Sequence, residues 1–169
     1  MQTLVTPRLR LEPLVAAHAD AMFPLLSDLR LCEHLDDAPP ASLAELRERC
    51  GRLETRLSAD GREQWLNWVL IAADSTVLGF VQATVGRNAS AWVAYELAFA
   101  HWGRGLAGEA VASMLEHLAA SCGVLHFKAT VEVANRRSIR LLERLGFRAA
   151  DAAQAQKHEL TPTERLYLR

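Results

Sequence analysis

Residues 92–122, WVAYELAFAHWGRGLAGEAVASMLEHLAASC, restrict the fold more than any other part of the chain. The apolar run WVAYELAFA is long enough for one buried strand. The turn HWGRGLAG follows, with Gly103, Gly105 and Gly108 inside six positions. Leu106, Ala110, Val111, Met114, Leu115, Leu118 and Cys122 then recur at three-to-four residue intervals, which predicts a helix with one buried face. Strand, glycine-rich turn and helix together aim bare backbone N–H groups and a helix N-terminus at an anion. Glycine suits such a turn because it accepts positive φ and leaves phosphate oxygens room to approach. The expected ligand is a phosphorylated small molecule.

The rest of the composition sets limits. A chain of 169 residues is sized for one domain, residues 1–169, with a substantial core. Half of the residues are hydrophobic and 23% are charged, which is ordinary globular composition. A formal net charge of −1 gives no reason to expect a nucleic-acid partner. Cys32, Cys50 and Cys122 form no CxxC and read as small core or surface residues in a reducing compartment, with no metal implied. The opening MQTLVTPRLRLEPL has no continuous apolar segment after a basic one, and no run nears the ~18 apolar residues of a membrane span. The expectation is a cytoplasmic protein with no membrane partner.

Taken in order, residues 3–14 alternate as one half-solvated strand, with Leu9 and Leu11 on one face and Arg8, Arg10 and Glu12 on the other. Residues 15–31 have helical spacing, with Pro24 expected to kink or divide the segment. Ser42 and Glu45 form a capping-box signature ahead of a second helix, striped by Leu43, Leu46, Cys50, Leu53 and Leu57. Residues 65–73 and 77–85 read as a hairpin, and a polar turn at 86–90 leads into the Trp92 strand. After the central helix, HFKATVEV reads as a strand. NRRSIRLLERL reads as a short helix capped by Asn135 and closed by Gly146. Residues 149–159 read as loop or weak strand, and 164–169 as a last strand. The order is a meander followed by a βαβ-like unit. It predicts an α/β (α+β) fold, one mixed sheet with helices on both faces.

Gly103, Gly105 and Gly108 also spell the G-x-G-x-x-G dinucleotide fingerprint, with Glu132 near the place of a ribose-binding acid. The motif comes late, however, and too little chain follows Glu132 to complete a doubly wound sheet. No Gly-Lys-Ser/Thr follows the turn either. The glycines alone leave a dinucleotide site, another phosphate site and a plain tight βα turn open.

The combination says more. YELAFAHWGRGLAGEA, followed some thirty residues on by VEVANRRSIRLLERLGF, resembles the two central motifs of the GNAT superfamily of N-acetyltransferases. Within it the chain resembles the branch of ribosomal-protein N-terminal (alanine/serine) acetyltransferases and related small-molecule enzymes. TPRLRLEPL resembles that branch's first strand and LGFVQATV its third, so the resemblance spans most of the chain. It implies a mostly antiparallel twisted sheet of about seven strands with a central splay. It also implies acetyl-CoA as cosubstrate, an amine as acceptor, and a monomer or homodimer.

The resemblance assigns residues as well. Backbone N–H groups of Trp102, Gly103, Arg104, Gly105, Leu106, Ala107 and Gly108 would hold the pyrophosphate, with Arg104 adding a cation. The strand carrying Leu97 and Phe99 would pair with the pantetheine amides. Asn135 would bond the same arm, and Arg136, Arg137 and Arg140 lie where a ribose phosphate could be met. Transfer needs a neutral amine, stabilisation of the carbonyl oxygen and help for the leaving thiolate. Relatives often place a tyrosine soon after the asparagine for the last role. This chain has Ser138 there, also a cofactor contact, and the missing tyrosine keeps a non-catalytic CoA-binding module as the alternative. Glu96 is the candidate base, with His101 second. Trp65, Trp68 and Trp92 are candidate pocket aromatics, more often core residues. His34, Asp36 and Asp37 lie where the acceptor lip would be.

Overall fold

The computed structural model describes residues 1–31 and 38–169. Leu4–Val5 (β1) and Leu9–Pro13 (β2) form an antiparallel hairpin where the alternation predicts one strand. Thr6 turns the chain: its backbone N–H donates to the Leu9 carbonyl at 2.9 Å, and its hydroxyl oxygen accepts the Leu9 N–H at 3.0 Å. Pro7 has no N–H for a ladder, so pairing stops there.

Two helices separate this hairpin from the rest of the sheet. Ala19–Leu26 (α1) follows a single 3-10 turn at Ala16–His18. Pro24 lies inside α1 without dividing it, and the helix ends two residues later. Leu43–Glu54 (α2) is capped by the Ser42 hydroxyl on the Glu45 N–H at 3.1 Å. The Glu45 carboxylate reaches one residue further back, accepting the Ala41 N–H at 2.8 Å.

Gln64–Ala72 (β3), Val77–Val85 (β4) and Ser90–Leu97 (β5) continue the antiparallel meander. Leu106–Cys122 (α3) carries the chain to His126–Glu132 (β6), the one strand that runs parallel to its neighbour β5. Arg136–Arg144 (α4) leads to Arg148–Ala149 (β7), and Glu164–Leu168 (β8) inserts between β6 and β7. The stretch expected as loop or weak strand contains a short helix, Ala152–Ala155 (α5). Asp151 and Gln154 close it with a reciprocal capping box among alanines. Among the described residues the sheet has eight strands in the order β1-β2-β3-β4-β5-β6-β8-β7.

Both faces of the sheet are covered, so β3 is buried without alternation from Leu66 to Ile71, Asn67 included. Trp68 and Leu70 face α3 and α4, in a cluster with Val81, Val93, Met114, Leu115, Leu118, Ile139 and Leu142. Val69 and Ile71 face α1 and α2, with Leu14, Ala19, Met22, Leu46 and Cys50. The buried side of α3 is the face its spacing predicts, except that Cys122 is only half-buried. Trp68 is fully buried, its indole N–H donating to the Gln2 carbonyl at 3.0 Å.

The feature that positions the site is the brevity of the β5–β6 pairing. Only Ser90, Ala91 and Trp92 register with His126, Phe127 and Lys128. Beyond them β5 stays on β4 as far as Leu97, while β6 stays on β8 as far as Glu132. The two strands therefore part, and Val93–Leu97 and Ala129–Glu132 flank a splay.

Gly79 holds β5 on its side of that splay. It stands opposite Leu97, and a Cβ there would meet the Glu96 carbonyl oxygen at 2.0 Å and the Leu97 Cα at 2.9 Å. No flexible side chain could yield, because both contacts are backbone. Gly79→Ala is expected to destabilise the protein by about 1–3 kcal/mol, in the range of core overpacking, seen as a lower urea midpoint with an unchanged slope.

Candidate active site

β5 ends at Leu97, three residues short of the strand the apolar run suggests. Ala98 still donates to the Leu78 carbonyl at 2.8 Å, but Phe99–His101 forms a 3-10 turn. Phe99 therefore does not offer a strand backbone to a ligand. It is 41% exposed, its ring under the Arg30 guanidinium at 4.5 Å and beside Trp102 at 4.8 Å. Of the last residues of the run, Phe99 packs on Trp102 while Ala100 is exposed. Because Ala98 N–H points to β4, alternation turns the Leu97 N–H and carbonyl towards the splay. That carbonyl accepts the Trp102 indole N–H at 2.6 Å and keeps a second lone pair.

The glycine turn follows. Gly103 and Gly105 have φ of 74° and 77°, in the left-handed region where a side chain would be strained. Gly105 is the N-cap of α3 and has no side chain with which to cap it. The first intrahelical bond runs from Glu109 N–H to the Gly105 carbonyl at 3.1 Å. The N–H groups of Leu106, Ala107 and Gly108 are thus left without an intrahelical acceptor. Arg104 is exposed, its guanidinium 3.2 Å from His101 Nδ1. Arg137 lies over the Trp102 ring at 4.8 Å, bringing the α4 helix to the same turn.

The turn is braced from the far end of the chain, by residues that sequence reasoning did not single out. Glu109 accepts the Thr6 hydroxyl at 2.6 Å, the Arg8 backbone N–H at 2.9 Å and the Arg8 Nε at 2.6 Å. Arg8 also donates to the Arg104 carbonyl at 2.8 Å. The hairpin turn between β1 and β2 therefore clamps the start of α3. The sequence signal was the Thr-Pro-Arg turn, read instead as part of a strand. Partial burial would raise the Glu109 pKa, but the bonds from Thr6 and Arg8 outweigh it and hold the carboxyl below the usual range.

Across the splay, the Asn135 side-chain oxygen caps α4 by accepting the Ser138 N–H at 3.0 Å. The Ser138 hydroxyl lies 2.7 Å from the Tyr95 hydroxyl, which comes from β5. Burial pushes the Tyr95 phenol up to about 12, with the Ser138 bond opposing the shift. The facing strand thus sets a phenol beside the α4 serine. The one-letter pattern YEL placed Tyr95 beside Glu96, but nothing local in it points to Ser138.

On the α1–α2 side of the sheet a cleft of about 300 Å³ reaches the same strand. Leu14, Met22, Leu46, Leu53 and Phe80 make its apolar walls, and Asn67, Gln82, Arg49 and Glu96 are its polar groups. Ala94, Tyr95 and Glu96 line it where β5 borders the splay. His101 and the candidate tryptophans are elsewhere. Trp65 donates to Glu63 at 3.4 Å, and Trp92 packs on His158 and Lys128. His34, Asp36 and Asp37 lie outside the described residues. Arg136 and Arg140 are exposed on α4. Among the described residues no three His, Cys, Asp or Glu side chains gather to hold a metal, and no helix is long and apolar enough to cross a membrane.

The sequence profile of the Acetyltransferase (GNAT) domain matches residues 8–148. The chain belongs to the GNAT acetyltransferase family. A GNAT acetyltransferase takes its acetyl group from acetyl-CoA, and the splay, glycine turn and bare helix start fit such a cosubstrate. The chain is 28% identical over 149 residues to the uncharacterised N-acetyltransferase p20 of Bacillus licheniformis, covering 87% of this chain and 83% of that one. Among solved structures it resembles a RimL ribosomal L7/L12 alpha-N-protein acetyltransferase in complex with coenzyme A, with a TM-score of 0.82 and 20% identity over 99% of this chain and 97% of that one. A GnaT-family protein from Bordetella pertussis gives a TM-score of 0.76 at 26% identity, over 100% and 99% of the two chains.

The Glu109 clamp has a pH signature. A carboxyl whose folded pKa is depressed contributes stability above its unfolded value of about 4.3, and loses it as pH falls through the folded value. Glu109→Gln is therefore expected to melt lower than wild type at neutral pH, yet to lose less melting temperature between about pH 5 and 3. Parallel melting curves across that range would show that the clamp is not ionic.

Proposed function

We propose that this GNAT enzyme transfers the acetyl group from acetyl-CoA directly to a primary amine, either a protein N-terminus or a small-molecule amine, while both substrates are bound. One observation carries the reading: Ala94, Tyr95 and Glu96 line the cleft and belong to the part of β5 that has left β6. An amine entering the cleft and a thioester lying in the splay would meet at these three residues.

The roles follow from the chemistry. Backbone N–H groups from Gly103 to Gly108 receive the pyrophosphate at the start of α3, the expected Trp102 N–H being committed to the Phe99 carbonyl at 3.2 Å, and Arg104 adds positive charge. The splay-facing backbone of Leu97 pairs with the pantetheine arm and offers an N–H to the carbonyl oxygen as it becomes negative. Phe99 contributes to the donor site through its packing on Trp102. The Asn135 amide nitrogen, its oxygen already committed to the α4 cap, is available to the same arm. Glu96 takes the proton of the incoming amine, directly or through water. Ser138 hydrogen-bonds the departing sulfur. Direct attack needs no activated nucleophile on the protein.

Three measurements test this. Acetyl-CoA is expected to raise the melting temperature by mass action, and Gly105→Asp to abolish that rise, by strain at a positive φ and by a carboxylate facing the pyrophosphate. Unchanged acetyl-CoA affinity in folded Gly105→Asp would remove the site from α3. Thiol release with a panel of amines and N-terminal peptides identifies the acceptor class. In that assay Ser138→Ala is expected to lower kcat on the order of 10-fold with acetyl-CoA binding nearly intact. Glu96→Gln is expected to alter the acidic limb of the pH–rate profile. A profile identical to wild type would assign that limb to the amine and leave catalysis to positioning.

A further inference from the structure

Tyr95 and Ser138 come from different elements and meet across the splay with 2.7 Å between their hydroxyl oxygens. Tyr95 packs against the apolar cluster beneath α3 and α4, so its hydroxyl is the polar tip of a half-buried ring that borders the cleft. Ser138 is fixed at its backbone too, where its N–H donates to Asn135. An isolated serine hydroxyl samples three rotamers, and its proton rotates freely. Here both the rotamer and the proton direction are constrained.

We propose that Tyr95 is a positioning residue for the departing sulfur: its phenol donates to the Ser138 oxygen, which leaves the Ser138 hydroxyl proton aimed at the sulfur. This rests on the reading that Ser138 serves the sulfur side. The phenol is the donor of the pair because it is more acidic than an alcohol. It stays neutral across the working pH range, since burial pushes it up to about 12. A thiolate, with a conjugate acid near 8.5, is too weak a base to take that proton. The pair therefore supplies a chain of two hydrogen bonds. As the amine's lone pair forms the N–C bond, the C–S bond breaks with its electrons on sulfur, where the Ser138 hydroxyl stabilises the growing charge. The proton leaving nitrogen goes to Glu96 or water, and the released thiolate is protonated by solvent. Each hydrogen bond of a chain strengthens the next, so removing the phenol weakens the serine as a donor.

The test is a double-mutant cycle on the full-length protein, read by thiol release. Tyr95→Phe keeps the ring and its packing. It is expected to lower kcat about 5-fold, the size of one ordinary hydrogen bond, with KM for acetyl-CoA and the melting temperature close to wild type. In the Ser138→Ala background the same substitution is expected to cost nothing further, because Tyr95 acts only through the Ser138 oxygen. Ser138→Thr, which keeps a hydroxyl, should restore the sensitivity to Tyr95→Phe. A purely structural tyrosine would instead cost the same factor in every background, and that result overturns the proposal, as does an unchanged kcat in Tyr95→Phe alone. If Ser138→Ala itself leaves kcat unchanged, the sulfur-side reading falls and this inference with it. A loss in Ser138→Ala without one in Tyr95→Phe removes only the inference. Should Tyr95→Phe melt early, 3-fluorotyrosine at Tyr95 and Tyr167 replaces it. The stronger donor is then expected to raise kcat in wild type and not in Ser138→Ala, and equal effects in both would overturn the assignment.

Discussion

The structure depends on three residue pairs. β5 and β6 register over Ser90–Trp92 and His126–Lys128 and nowhere else. Had they paired to their ends, the sheet would be continuous and backbone groups of Val93, Tyr95 and Leu97 would be spent on a ladder. Because they part, those groups border an opening, and the helices after each strand begin at its two rims. Each strand is kept straight by its other neighbour. β4 holds β5 through the bare backbone approach at Gly79, and β8 holds β6 along Lys128–Glu132. The opening is therefore a product of pairing elsewhere in the sheet.

The second constraint is that the rims must be stiff. A glycine turn with two left-handed residues and an uncapped helix start would be loose if left alone. Thr6 and Arg8 supply the rigidity from a hairpin turn about a hundred residues away in sequence, through Glu109. A carboxylate in the first turn also favours the positive end of the helix dipole. Arg8 offsets that charge, so the anion site in front of α3 is not left facing an uncompensated acid. On the opposite rim Arg137 lies over Trp102, which in turn donates to the Leu97 carbonyl. The two rims are thus tied to one another and to the strand between them.

Much of this was legible in the chain. The α3 face, the Asn135 and Ser42 caps, the β3–β4 hairpin and the glycine turn follow from spacing and local chemistry, and the paired motifs led to the splay and to acetyl-CoA. What escaped was non-local or masked by composition. Apolarity alone could not tell that Phe99–His101 folds as a 3-10 turn, because Phe99 and Ala100 are apolar yet exposed there. Arg8 and Glu109 looked like ordinary surface charges, since no period links positions so far apart. Tyr95 lies on β5 and not after Asn135: its meeting with Ser138 depends on how far β5 and α4 lie apart, which no one-dimensional pattern encodes. Asp151 and Gln154 were readable as a capping box and were passed over in an alanine-rich stretch.

The place of β8 has a consequence for how the molecule is made. Among the described residues, Glu164–Leu168 come after every other element, yet they slot between β6 and β7 and form the only ladder along the outer half of β6. During synthesis the meander β1–β5 can collapse on α1 and α2 before residues 164–168 are available. The outer wall of the opening has no partner until residues 164–168 emerge. Non-local closures of this kind are slow compared with local turns. A nascent chain stalled before them would expose the unpaired edges of β5 and β6 together, a strand-sized slot open to any extended peptide nearby. Ligand-binding competence is thereby linked to the docking of β8 on β6, so that a product truncated before residue 164 lacks one wall of the site.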